Sequence, residues 1–405
     1  MNKKKELQWQ RNVLKDFKKK SPSKINIENK KVFKRYLDNH LNLFNENLKF
    51  PIEIFKNKRI LDLGCGTGEV DIILNSFGAK CYGFDFNEIS IDRANFLKKK
   101  YKLKNIFFRK KKVEDLRIKK ASYDISISFG VIAHIYNREK LFKKLVNATK
   151  KDGYIILGYV EDGGLIQRLL HRAIIRKINE NNNKDIFILA KKIFSEHIKR
   201  SVKFGLRSEE GIINDYLVNQ AYIGISMDQM LSWQKKYKLK FYSKSPDATL
   251  PLRIDPGFQD NILNHNTSKE LYSLSNLRSV FSMKSDQDIF NNIFFKNKLN
   301  VSSEINFLIK KITKILQKKV NKASKKELLE IKKIKAILSK KLKKLTSQIS
   351  IDTNKNFNSY TKEIIDNIYE LSKKKFSFKS LNKKINYLFK GYNGLGTSYI
   401  VFKKK

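Results

Sequence analysis

Between Lys58 and Val160 short apolar runs alternate with stretches of helical period. The runs Arg59–Leu63, Lys80–Phe84, Ile106–Arg109, Tyr123–Phe129 and Gly153–Val160 predict strands. Gly68–Phe77, Asn87–Tyr101 and Arg138–Thr149 predict helices between them. Strands separated by single helices form βαβ units, because a parallel neighbour can be reached only by a crossover. The flanking regions follow another rhythm. Residues 1–50 read as polar helices, with Trp9, Val13, Leu14 and Phe17, then Phe33, Tyr36, Leu37 and Leu41, at helical spacings. Residues 161–240 read as mostly helical and lead into a strand at Leu239–Ser243.

From Ser245 to about residue 300 the chain carries Pro246, Pro251 and Pro256 and much Asn and Ser, which predicts loops. Helices follow at about Glu304–Asn321, Lys325–Thr346 and Lys362–Lys373. Ser324 and Glu327 form a capping box before the second. Its Leu328, Ile331, Leu338, Leu342 and Leu345 fall on one face, which suits a helical hairpin or a contact between two copies of the chain. The chain closes with Gly394, Gly396 and an alternating run, Thr397–Lys403. A strand stranded behind a helical block must pair with something, and the first sheet is the simplest partner.

The expected plan has five parts. Residues 1–50 are N-terminal helices, 51–160 a nucleotide-binding type core, and 161–250 a helical lid with the sixth strand. Residues 251–390 form a lysine-rich helical insertion, and 391–405 a strand returning to the core.

Composition changes this picture little. An apolar fraction of 41% in 405 residues is enough for a packed core. No apolar h-region opens the chain and no uncharged apolar run reaches the ~18 residues of a membrane span, so the expectation is a soluble cytoplasmic protein. Cys65 and Cys81 are too few for a disulfide framework or a cysteine-rich metal site, and no metal is expected. The net charge of +47 invites a polyanionic partner. Only 14 of the 86 basic residues are arginine, however, and lysine is spread through every segment, as an AT-rich coding sequence would produce.

The chemistry is concentrated in Lys58–Glu69, where a predicted strand runs into Asp62-x-Gly64-x-Gly66-x-Gly68 and then a helix. Glycines at such a turn allow positive φ and let a ligand touch backbone N–H groups. Asp85 ends the second strand, where a carboxylate can accept hydrogen bonds from ribose hydroxyls. The spacing is not that of a dinucleotide-binding turn. It resembles the class I S-adenosylmethionine (SAM)-dependent methyltransferases, whose acidic-x-Gly-x-Gly-x-Gly signature is matched in full. Further resembling segments follow in order: Lys111–Leu116, Tyr123–His134 and Lys150–Leu157.

The resemblance implies an α/β, Rossmann-like seven-stranded sheet, mostly parallel with an antiparallel last strand, together with the helical lid and insertion. In such sheets strand seven lies between strands five and six, a place that Thr397–Lys403 can fill. The resemblance also implies SAM as cofactor. Asp62 would lie near its methionine amino group, Gly64, Gly66 and Gly68 along it, and Asp85 on the ribose. Val113 and Glu114 or Asp115 would meet adenine, and Gly130 the methionine end. His134 is the candidate general base, with a capping or packing role the alternative. Asp124 reads as structural.

No Asn/Asp-Pro-Pro-aromatic turn follows strand four, where Ser128–Val131 stands instead, and neither cysteine follows a proline. These absences argue against methylation of nucleobase amines and of cytosine C5. What remains is a small-molecule, sugar, quinone or lipid-linked acceptor. Arg168, Arg172, Arg176, Arg200 and Arg207 cluster in the lid, and Arg200, Arg207 and Tyr216 are the candidate acceptor contacts. Two other readings stay open: an RNA methyltransferase holding phosphates on its lysine-rich helices, and a non-catalytic SAM-binding scaffold.

Overall fold

The computed structural model describes residues 24–182, 185–219, 222–245, 302–317, 325–346, 351–373 and 397–405, with Gln8, Trp9, Arg11, Val13 and Phe376. Its centre is a sheet of β1 (Arg59–Leu63), β2 (Lys80–Asp85), β3 (Ile106–Lys110), β4 (Tyr123–Phe129), β5 (Thr149–Tyr159), β6 (Leu239–Ser245) and β7 (Ser398–Lys404). The order across the sheet is β3-β2-β1-β4-β5-β7-β6. The first five strands are parallel to one another. β7 is antiparallel to both β5 and β6, with Val401 opposite Ile156 and Phe402 opposite Phe241. The last residues of the chain therefore complete the sheet, as the alternating run predicts.

The helices are α1 (Lys30–Leu41), α2 (Glu69–Ser76), α3 (Glu88–Lys100), α4 (Arg138–Ala148), α5 (Ile166–Asn182), α6 (Ile186–Ile193), α7 (Ser195–Gly205), α8 (Glu209–Ile213), α9 (Met227–Lys236), α10 (Ser302–Gln317), α11 (Lys325–Thr346) and α12 (Ile351–Ser372). Alternation along β1 sorts the core. Ile60 points to the face where Phe44, Phe55, Ile73 and Leu97 pack, and Leu61 and Leu63 to the face of Leu141, Phe142 and Trp233. α5 builds a third core beyond the sheet: its Leu170, Ala173 and Ile174 meet Leu308, Ile312 and Ile315 of α10 and Ile364, Ile368 and Leu371 of α12.

Two expectations change. β5 starts at Thr149 instead of Gly153, because Thr149 already pairs with Tyr123 and a register shift carries the ladder past the turn. The third helix of the insertion starts at Ile351, not Lys362. Its polar first half gains a partner, since Ser339 of α11 donates a 2.5 Å hydrogen bond to Asn358 of α12. The apolar face of α10 is covered by α5 within the same chain. α10 also meets α11 through the Lys311–Glu330 ion pair at 2.7 Å. Ser324, the two C-terminal glycines and the loop-rich stretch 246–301 lie outside the described residues, as do the side chains of Leu328, Ile331, Leu338, Leu342 and Leu345. Among the described residues no helix is long and apolar enough to cross a membrane.

Phe402 is fully buried against Phe142 at the centre of this arrangement. Phe402→Ala should lower the free energy of unfolding by about 3–5 kcal/mol, the usual cost of deleting a buried aromatic ring. Urea denaturation measures it, and an unshifted midpoint would show that β7 is not a structural strand.

Candidate functional site

At the end of β1 the chain turns through Gly64-Cys65-Gly66-Thr67-Gly68 into α2. Gly64 has φ +88°, and a Cβ there would run into Val131. Gly68, at φ +80°, starts α2 in a left-handed conformation, with Phe108 only 2.6 Å and Ala94 2.9 Å from where a Cβ would stand. Both positions need glycine on two grounds, backbone and space. The turn is anchored to β2: the Gly64 N–H donates to the Phe84 carbonyl at 2.7 Å, and the Gly66 N–H to Asp85 Oδ2 at 3.0 Å. Asp85 Oδ1 accepts from the Asn87 N–H at 2.8 Å. Asn87, rather than Asp85, caps α3, accepting from the Ile89 N–H at 3.1 Å.

Two more loops at the same edge of the sheet complete the walls. After β3, Lys144 of α4 donates to the carbonyls of Val113, Glu114 and Leu116, the last two at 2.8 Å, and so fixes that loop from below. After β4 come Gly130 at φ +74°, Val131 and a short turn, Ile132–His134. The His134 ring lies edge-on to Tyr222 at 4.8 Å, and its Nδ1 is 3.5 Å from the Asn219 amide nitrogen. The His134 carbonyl accepts from Trp9 Nε1 at 2.7 Å.

These loops enclose a cleft of about 440 Å³. Asp62, Gly64, Gly66, Asp85, Val113 and Glu114 line it together with Gly130, His134, Arg168, Tyr222 and Tyr399, and Val13, Ile25 and Tyr36 also border it. The cleft sits at the carboxyl ends of the parallel strands, where the order reverses between β1 and β4, the place where open α/β sheets bind ligands. A family model described as a methyltransferase domain matches residues 54–239, which include the turn, the whole parallel sheet and the lid.

Residues 54–239 are a methyltransferase domain.

Curated relatives of the methyltransferase domain include a ubiquinone biosynthesis O-methyltransferase of Pelagibacter ubique, 30% identical over 102 residues, or 25% of this chain and 42% of that protein. The Rickettsia typhi protein of the same name is 30% identical over 115 residues, 28% of this chain and 46% of that one. The chain thus spans less than half the length of these relatives. A crystal structure of a SAM-dependent methyltransferase from Mesorhizobium loti aligns at 21% identity with a TM-score of 0.26, covering 27% of this chain and 50% of that one.

Most of the predicted cofactor residues of the methyltransferase domain meet in the cleft, but not all of them. Gly68 is not among the cleft-lining residues; its place is taken up in packing the start of α2 against Phe108. Of the two adjacent carboxylates, Glu114 lines the cleft and Asp115 does not. The candidate acceptor residues separate. Arg200 is exposed and, with Tyr216, lines an adjoining cavity of about 420 Å³ that opens through the lid. Arg207 borders both cavities, but its guanidinium is engaged by Asp215 at 3.0 Å and by the Gly211 carbonyl at 3.3 Å. Arg168 and Tyr222 line the cleft as well. Arg168 had a signal in the sequence, standing four residues before Arg172 and eight before Arg176 on one face of a helix; Tyr222 had none. Asp124 is structural, accepting from the Arg59 N–H and from Lys150 at 2.8 Å each. Among the described residues no group of His, Cys, Asp and Glu could hold a metal.

Beneath the turn Asp62 and Asp71 are buried against each other. Burial pushes both carboxyls up, Asp71 to about 7, and the charges of Asp71 and Asp85 push Asp62 further. The two side chains share a hydrogen bond, so one proton serves the pair. A raised carboxyl pKa means that the folded state holds a proton which the unfolded chain, titrating near ~3.9, has already released. Stability from Asp71 is therefore fully present at low pH and is lost as pH rises towards about 7. Asp71→Asn should flatten this decline. Urea midpoints between pH 5 and 8 test it, and parallel curves for wild type and variant would refute the shared burial of the pair.

Proposed function

We propose that the chain transfers a methyl group from SAM to a hydroxyl group of a small-molecule acceptor. The observation that carries this reading is a cleft lined both by acidic groups and a glycine turn and by a histidine–tyrosine pair. The residues present fit the cofactor. Asp62, buried and lining the cleft, would meet the ammonium of the methionine moiety. Asp85 would hold the ribose hydroxyls while keeping the turn closed through Gly66. The Val113 backbone and Glu114 would meet adenine, on a loop that Lys144 holds in place.

SAM supplies a methyl group on a positively charged sulfur, which leaves in an in-line displacement by the acceptor oxygen. The protein contributes alignment and proton transfer. His134 would take the hydroxyl proton as the C–O bond forms. Asn219 beside Nδ1 would fix which ring nitrogen carries the proton, and Tyr222 would hold the ring edge-on over the acceptor. The names of the curated relatives, ubiquinone biosynthesis O-methyltransferases, support a hydroxyl acceptor.

Calorimetry with S-adenosylhomocysteine, the demethylated product, tests the cofactor half. Asp85→Ala should weaken binding by about 1.5–3 kcal/mol, as expected for lost charge-assisted hydrogen bonds. His134→Gln should leave that affinity intact but lower transfer of a tritiated methyl group to a panel of hydroxylated acceptors by about 10²–10⁴-fold. Wild-type affinity in Asp85→Ala would sink the cofactor assignment, and wild-type transfer by His134→Gln would remove the base.

A further inference from the structure

Arg168 is the one guanidinium at the acceptor end of the cleft that the described residues leave incompletely used. It projects from α5, 4.1 Å from the Tyr222 ring centre and 4.7 Å from that of Tyr216. Such contacts fix the plane of the guanidinium, and Tyr222 also shares a hydrogen bond with it, but a stacked face does not serve every N–H group on the edge. Its Nη1 is shielded from water and has no hydrogen-bond partner. Burying a charged donor without a partner is costly, so a position that retains one implies a group that arrives to meet it.

Two neighbouring arginines are already engaged, and Arg200 lines only the adjoining cavity. Arg172 donates to the Tyr216 carbonyl at 2.8 Å and the Asp215 carbonyl at 3.1 Å. Arg207 is paired with the Asp215 carboxylate. Against the upward pull of burial, Arg207 and Arg168 hold that carboxylate well below the usual range, so it stays ionised. Three arginines thus face one carboxylate, and the junction keeps a positive surplus. Arg168 borders both cavities at this junction.

We propose that the methyl acceptor is an anion, carrying a carboxylate or a phosphate that Arg168 binds through its free N–H edge. Both groups offer the paired oxygens that a guanidinium fork matches. The proposal rests on reading the cleft as a methyl-transfer site. Tyr222 touches both Arg168, 4.1 Å from its ring centre, and His134, whose ring centre is 4.8 Å away, so the anionic group and the methylated hydroxyl would be close neighbours. A hydroxylated aromatic or sugar ring has that shape, and the adjoining cavity accommodates whatever extends beyond it.

The test uses the full chain saturated with S-adenosylhomocysteine and three probes of similar size: phenyl phosphate, benzoate and the uncharged benzyl alcohol. NMR titration or calorimetry should find at least one anion bound roughly tenfold or more tighter than benzyl alcohol, as a charge-assisted hydrogen bond gives. Whether phosphate or carboxylate is preferred identifies the group, and either preference supports the proposal. Arg168→Gln should abolish the preference, and Arg168→Lys should retain part of it, with product affinity unchanged in both. Anions bound no better than benzyl alcohol by the wild-type protein would overturn the proposal without reliance on any variant, and so would a preference that survives Arg168→Gln. Failure of the wild-type protein to bind S-adenosylhomocysteine would instead remove the reading of the cleft, and this inference with it.

Discussion

β7 is hydrogen-bonded on both sides, between β5 and β6, and that pairing constrains everything the chain does after Ser245. A strand inside a sheet has no spare donors or acceptors, so its place cannot be left open without exposing two ladders. The long excursion that follows β6 must therefore end beside the strand from which it began. Its described helices are brought back over α5, where α10 and α12 bury their isoleucines and leucines. α5 in turn carries Arg168 to the cleft, and Tyr399 at the start of β7 lines the same space. The last residues of the sequence thus hold both the sheet and the roof of the site.

The cleft carries groups of both signs. Asp62, Asp85 and Glu114 line it beside the glycine turn, and Arg168, with Arg172 and Arg207 near it, reaches it from the lid. Charges in a poorly solvated space act over greater distances than in water. A cofactor with a cationic sulfur and an ammonium group suits the acidic groups, and the proposed anionic acceptor would suit Arg168. Such complementarity would orient the two reactants, with His134 and Tyr222 beside them. Alignment of this kind is the larger part of what an enzyme contributes to an in-line displacement.

The strands and the glycine turn were legible because each depends on neighbours in sequence. Apolar runs of strand length, separated by helices, can bury both faces only as a parallel sheet. Asp62, Gly64 and Gly66 reach the cleft because the turn carries them there whatever surrounds it. Gly68 shares the same motif, yet its role is to let Phe108 and Ala94 approach α2, which no spacing reveals. The lid was harder for the same reason. Arg200, Arg207 and Tyr216 looked the best contacts by polarity and proximity in sequence, but which arginine is free depends on where Asp215 and two carbonyls fall. α12 was read too short because its first half relies on a contact with α11, not on its own residues.

The large net charge is separate from the chemistry of the site. Lysine side chains remain largely at the surface, where each is solvated and worth little to the fold. Lys244 is the exception among the described residues with its ammonium so deeply enclosed, and it lies 2.8 Å from the buried carboxylate of Glu161. Arginine behaves differently here. Arg168 and Arg172 are drawn into the lid core beside Tyr216 and Tyr222, where a planar, weakly hydrated cation can be stacked and a compact ammonium cannot. In a chain with 72 lysines and 14 arginines, the few positions that require a guanidinium are therefore more informative than the sum of the charges. The net charge of +47 is a sum over the chain, whereas the unpartnered Nη1 of Arg168 is the observation from which an anionic acceptor is proposed.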